Sequence, residues 1–305
     1  MEKFTEDGQE CQRWRLGASI FTACLERGAR LMRWELELPT GRRQVIYWPE
    51  TTDWENFATI RGGNPVLFPF MGRNYAAGEK FCWLDLDGEK RPMPQHGWAC
   101  QGKFVIEDSG ADFVTVRFAP DATAQASYPY HYDFRVRYDF RELGLRCEFS
   151  LTNHEARSIP WCAGHHFYFG LPWHPGLGRE DYRIVVPAKK FWRHSAEGKL
   201  VAVKDGAKET TFADPALADL IHTRLTENRV VFGPKSGEED VTIRIGEEPI
   251  PDTWTTVVTW TPDRESPFYC VEPWMGPPNS SEHKNGLRWV GPAQTETFVV
   301  EVALD

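Results

Sequence analysis

The constraint that bears hardest on the fold is a side-chain period of two. From Phe134 the apolar residues alternate through Val136, Tyr138 and Phe140, and after Glu142-Leu143-Gly144 they resume at Leu145, Cys147, Phe149 and Leu151. Successive side chains of a strand point to opposite faces, so this spacing predicts two long strands joined by a turn, with one face buried. The same alternation marks Phe113–Phe118, Val241–Ile245, Val257–Thr261 and Phe298–Leu304. The 25 Gly and 22 Pro residues break the chain at short intervals, which suits many strands and disfavours long helices. One brief helix is expected near Pro215–Ile221, where Asp214 can cap Pro215 at the first helical position. The class is all-β.

No linker, low-complexity tract or internal repeat divides the chain, and the largely polar stretch Ala196–Lys208 reads as an excursion loop rather than a boundary. A single domain over residues 1–305 follows, because large β-sandwiches reach this length as one unit. The formal charge of −9, with no basic stretch to offset it, argues against nucleic-acid or anionic-membrane partners. Seven scattered cysteines, never in a C-x-x-C arrangement, read as free thiols rather than a disulfide framework or zinc site. No apolar leader stands at Met1–Asp7 and no run of about eighteen apolar residues occurs, so a cytoplasmic protein is expected.

Four segments carry residues of chemical interest. Arg61-Gly62-Gly63-Asn64-Pro65 leads through an apolar run to Gly72-Arg73. Here the glycines would let backbone approach a ligand and Arg61 would donate to its oxygens. The stretch lacks the Gly-Lys-Ser/Thr ending of a phosphate loop. Gln95-His96-Gly97-Trp98 sets an imidazole beside an indole. His165 and His166 are adjacent within Gly164–Phe169, so on a strand only one of them can enter a given pocket, which argues against a metal held by that pair. Phe268-Tyr269-Cys270-Val271-Glu272-Pro273-Trp274 places a carboxylate at the end of an apolar strand, among aromatics that would raise its pKa. Guanidinium donors, an acid and a base of unlike pKa, and flat aromatic faces are the equipment for moving protons on a sugar.

These segments, together with Thr152-Asn153-His154, resemble in order and rough spacing the aldose 1-epimerase (galactose mutarotase) superfamily. The likeness runs from about Ala18, where Leu25-Glu26-Arg27-Gly28-Ala29-Arg30-Leu31 resembles the opening strands, to Phe298–Leu304. It implies a large antiparallel β-sandwich, the supersandwich, in agreement with the period of two. It further implies that His166 is the general acid, with His165 facing away from the pocket, and that Glu272 is the general base. Arg61 and His96 would orient sugar hydroxyls, and Asp219, or alternatively Asp214, would supply a further acidic group. Trp98 and Trp274 are the indoles expected to stack on the ring, and Arg73 a further binding residue. The reaction implied is interconversion of α and β anomers of a neutral aldohexose, without metal or organic cofactor. The rivals are a mutarotase for a hexose 6-phosphate or other anionic sugar, to which Arg61 and Arg73 would contribute, and a non-catalytic carbohydrate-binding protein. A glycoside hydrolase would usually need two flanking carboxylates, and only Glu272 has such support.

Overall fold

The computed structural model describes residues 1–204 and 206–305, of which 51% lie in strands and 7% in helices, so the all-β reading holds. The hairpin forms where the alternation places it. Tyr132–Arg141 pairs antiparallel with Gly144–Asn153, setting Phe134 opposite Leu151, Val136 opposite Phe149, Tyr138 opposite Cys147 and Phe140 opposite Leu145. All eight of these side chains are buried, while Arg135, Arg137, Arg146 and Glu148 between them stay partly exposed. A slip of one residue would turn the whole apolar set to water, so the register is set by burial itself.

This hairpin lies in a nine-stranded sheet with Phe113–Ala119, Val241–Ile245 and Thr295–Leu304. A second sheet of thirteen strands contains Thr256–Trp260 and Phe268–Trp274. The two sheets meet through aromatic side chains: Trp14 and Phe21 reach Phe140 with ring centroids 4.6 and 4.7 Å apart, and Phe169 meets Phe232 at 4.9 Å. Burial of each such ring contributes about 1.5–3 kcal/mol. Two antiparallel sheets sharing one apolar interior make the β-sandwich.

Two local expectations change. Asp214 does cap, accepting from the Ala216 N–H at 2.9 Å, but the helix is a single turn, Pro215–Leu217. It stops because the apolar residues beyond it are drawn into the strand Leu220–Leu225, where Ile221 pairs with Val258. The stretch Ala196–Lys208 is not all loop, since Leu200–Val203 pairs with Ala188–His194 and extends the larger sheet; Asp205 lies outside the described residues. The seven cysteines are buried, unpaired thiols, and among the described residues no helix is long and apolar enough to cross a membrane.

Candidate active site

The pleat of Phe268–Trp274 sorts its side chains between two environments. Tyr269 and Val271 enter the sandwich interior, while Cys270 and Glu272 point to the opposite face. Register then assembles that face. Thr256–Trp260 brings Val258 opposite Glu272 and Trp260 opposite Cys270, and Phe167–Gly170 brings Tyr168 opposite Cys270 on the other side. Over these residues opens a cavity of about 780 Å³, with Glu272, His166, Tyr168, Val258 and Trp260 in its wall.

The adjacent histidines part as the strand geometry requires. His166 reaches the cavity, where its Nε2 lies 3.4 Å from Glu272 Oε1 and its ring stacks on Tyr168. His165 turns into the core between Phe149 and Phe167 and is fully buried. Asn64 holds both residues in place. Its Oδ1 accepts from the His166 backbone N–H at 3.1 Å, which leaves its Nδ2 to donate to His165 Nδ1 at 3.0 Å. His165 is thereby fixed as the neutral tautomer with its proton on Nε2.

Electrostatics revise one expectation. The general acid expected at His166 has to be an imidazolium, but burial, with His96 and Arg30 nearby, holds that ring well below its usual range. Burial and the Asp219 carboxylate hold Glu272 well above the carboxylate range. Both directions favour, whenever the pair carries one proton, the neutral arrangement with that proton on the carboxyl. His166 Nδ1 and Glu272 Oε2 are buried and have no partner among the described residues.

His96, Arg61, Arg73, Asp219 and Trp274 also line the cavity. His96 adopts a left-handed backbone with φ of 68°, and its Nδ1 accepts the Gly72 N–H at 3.3 Å, so a neutral ring carries its proton on Nε2, which lies 3.2 Å from the Gln95 side-chain amide. Burial and the charge of Arg73 push it down to about 4. Gly97 follows at φ of 77°, and a Cβ there would stand 2.1 Å from the Phe68 carbonyl oxygen. Gly97→Ala should therefore cost roughly 1–3 kcal/mol in thermal or urea unfolding. Unchanged stability would mean that this turn is not held as described.

Other expected residues sit elsewhere. Trp98 is not in the cavity wall: its indole N–H donates to Ser127 Oγ at 2.7 Å and the ring packs on the core. Asp214 is occupied by its capping role and by the Thr210 hydroxyl. Gly62 and Gly63 serve the fold rather than a ligand. A Cβ on Gly63, at φ of 71°, would lie 2.3 Å from the Leu31 carbonyl oxygen, and Gly62 is pressed against Tyr47, Trp48 and Pro49. Several cavity residues do not stand out as site residues in the sequence, among them Tyr168, Trp260 and Arg193. Tyr168 and Trp260 bring aromatic faces, and Arg193 donates to the carbonyls of Ala216 and Ala218. Trp260 lies in an alternating segment, but only the pairing register reveals that it shares a face with Glu272.

The aldose 1-epimerase family model matches residues 15–293. The chain belongs to the aldose 1-epimerase family. Among curated proteins it is 26% identical over 243 residues to the plasmid-encoded protein LacX of Lactococcus lactis subsp. lactis, covering 74% of this chain and 78% of LacX. A galactose mutarotase-like protein from Clostridium acetobutylicum superposes with a TM-score of 0.79 at 17% identity, over 100% of this chain and 98% of that one. A galactose mutarotase related enzyme from Lactobacillus acidophilus does so with a TM-score of 0.74 at 19% identity, over 97% of each chain. The fold is thus galactose mutarotase-like, and the family is one of enzymes of the epimerase type acting on sugars.

Proposed function

We propose that the chain is a mutarotase that interconverts the α and β anomers of an aldohexose, with Glu272 and His166 as its base and acid. The observation that carries this reading is their meeting across one cavity wall, Nε2 to Oε1 at 3.4 Å, in a family of sugar epimerases. Moving the shared proton from Glu272 to His166 creates the reactive form without changing the site's net charge. Glu272 then takes the proton of the anomeric hydroxyl while His166 gives one to the ring oxygen. The C1–O5 bond breaks, the C1–C2 bond of the open aldehyde turns by about half a rotation, and closure returns both protons. Each transfer contributes roughly 10²–10⁴-fold. His96 and Arg61 hold hydroxyls, and the faces of Trp260 and Trp274 take the ring C–H groups.

A second reading of the substrate rests on the cavity's cations. Arg61, Arg73 and Arg193 all line it, and among the described residues none of them is within ion-pair distance of a carboxylate. Arg193 is engaged by backbone carbonyls, so Arg61 and Arg73 are left to meet an anionic sugar substituent. The test is relaxation of fresh α-D-glucose, α-D-galactose and glucose 6-phosphate by polarimetry or NMR. Acceleration of the neutral sugars supports the first reading, whereas acceleration of the phosphorylated sugar alone replaces it with the second. In that case Arg73→Ala should raise KM for the phosphorylated sugar by about 10–100-fold. If none of the three relaxes faster with the protein present, mutarotation of these sugars is ruled out.

A further inference from the structure

Cys270 has no part in the anomer exchange, yet it stands beside both groups that do. It is fully buried on the same face of Phe268–Trp274 as Glu272, two residues away, and across the pairing from Tyr168. One nitrogen of His166, the Cys270 sulfur and one oxygen of Glu272 all lie within 4.8 Å of one another. We propose that these three side chains form a site for a single thiophilic divalent cation of the zinc or cadmium class, and that its occupation competes with the sugar.

The geometry suits such an ion. Zinc takes sulfur at about 2.3 Å and imidazole nitrogen or carboxylate oxygen at about 2.0–2.2 Å, in a tetrahedron. The ligand atoms of such a site are therefore roughly 3.3–3.7 Å apart. His166 and Glu272 already stand at 3.4 Å. Glu272 Oε2 is buried without a partner among the described residues, so the carboxylate keeps lone-pair capacity for a ligand, and the 3.4 Å pair itself uses His166 Nε2 and Glu272 Oε1. His166 and Glu272 border the cavity, which leaves the fourth position for water or an inhibitor, as in zinc sites with three protein ligands.

Charge decides which ions qualify. Thiolate and carboxylate together neutralise a divalent cation, and binding releases the thiol and carboxyl protons to solvent. Arg30 acts on His166, and Arg61 and Arg179 act on Cys270, so all three guanidinium groups oppose a cation. An ion that cannot gain from the sulfur has little to offset that repulsion. Magnesium and calcium, which prefer oxygen ligands, should leave the protein unaffected. A bound thiophilic ion ties up the carboxylate and the imidazole that exchange protons with the sugar.

The test uses the full chain with cobalt(II) as a spectroscopic probe and zinc(II) for calorimetry and kinetics. The expected result is one ion per chain with a thiolate-to-cobalt absorption band. Zinc should inhibit mutarotation competitively, with activity restored by a chelator. Cys270→Ala should abolish the band and raise the inhibitory zinc concentration by about a hundredfold or more, while anomer exchange continues. Glu272→Gln should also weaken cobalt binding, and it serves if the alanine variant does not fold. The cobalt readout is independent of turnover, so a protein without mutarotase activity still tests the site. The proposal is overturned if no thiolate band appears, or if binding persists in both variants. It is equally overturned if binding disappears on His154→Asn, which would place the ion at the surface group His131, His154 and Asp133.

Discussion

Glu272→Gln should lower turnover by roughly 10²–10⁴-fold while sugar binding stays within a few-fold of the parent. The amide keeps the shape and volume of the carboxyl on the buried strand end, so the cavity wall is preserved. It cannot accept the anomeric proton and cannot hold the single proton that the pair shares. His166→Asn should cost a comparable factor, because the proton then has no second place to go. The double variant should lose little more than either single one, since the two groups act as a unit. The pH profile follows from the directions of the two shifts. His166 is held down and Glu272 up, so the two shifts widen the pH interval over which the pair carries one proton. Activity should fall on the acid side when a second proton enters the pair and on the alkaline side when the last one leaves. Near-parental rates of glucose mutarotation in Glu272→Gln, measured by polarimetry, would remove Glu272 from the proposed role.

How much of this was legible beforehand depends on the range of the interaction involved. The hairpin Tyr132–Asn153 was readable because its signal is local: alternate side chains on one face, a turn between, and burial that tolerates no slip. The separation of His165 from His166 was readable for the same reason, since opposite directions of adjacent side chains need no tertiary knowledge. Trp98 could not be placed that way. Its indole is captured by Ser127, 29 residues further along, and nothing in Gln95-His96-Gly97-Trp98 announces that partner. Gly62 and Gly63 misled in a related manner, because a glycine pair marks close approach of backbone without saying whether a ligand or another strand approaches. The protonation of His166 was missed for a physical reason as well. Its depression comes from burial in the assembled wall and from the nearness of His96 and Arg30, which are distant in sequence.

The same burial that shapes the site predicts a steep loss of stability on the mild acid side of neutrality. His165 and His222 are fully buried, and burial pushes each down to about 3. Both are fixed in the neutral form by their partners. Asn64 donates to His165 Nδ1, so a proton there would face another donor. Thr259 Oγ1 donates to the Leu217 carbonyl at 2.6 Å and therefore accepts from His222 Nε2–H at 3.1 Å, while His222 Nδ1 has no acceptor among the described residues to receive a new N–H. A histidine whose native pKa is depressed binds protons more readily when unfolded. Its contribution is complete above about 6.5 and is lost as pH falls towards its native value. By pH 5 each of these two rings should have forfeited about 2 kcal/mol. That is a large part of the 5–15 kcal/mol typical of folded proteins. His96 and His194 act in the same direction, and Glu272, raised on folding, acts against them. Asp85, Glu107 and Asp133 are held low by arginine or histidine partners and hydrogen bonds, so their losses belong to a more acidic window, near and below about pH 4. Urea unfolding at closely spaced pH values between 7 and 5 therefore separates the histidines from those three low carboxylates, and a histidine variant separates them from Glu272. In His222→Gln the slope of unfolding free energy against pH should be shallower by about 1.4 kcal/mol per unit, one proton fewer. An unchanged slope would show that His222 is as easily protonated inside the sandwich as in water, and that the neutral pairing with Thr259 does not hold.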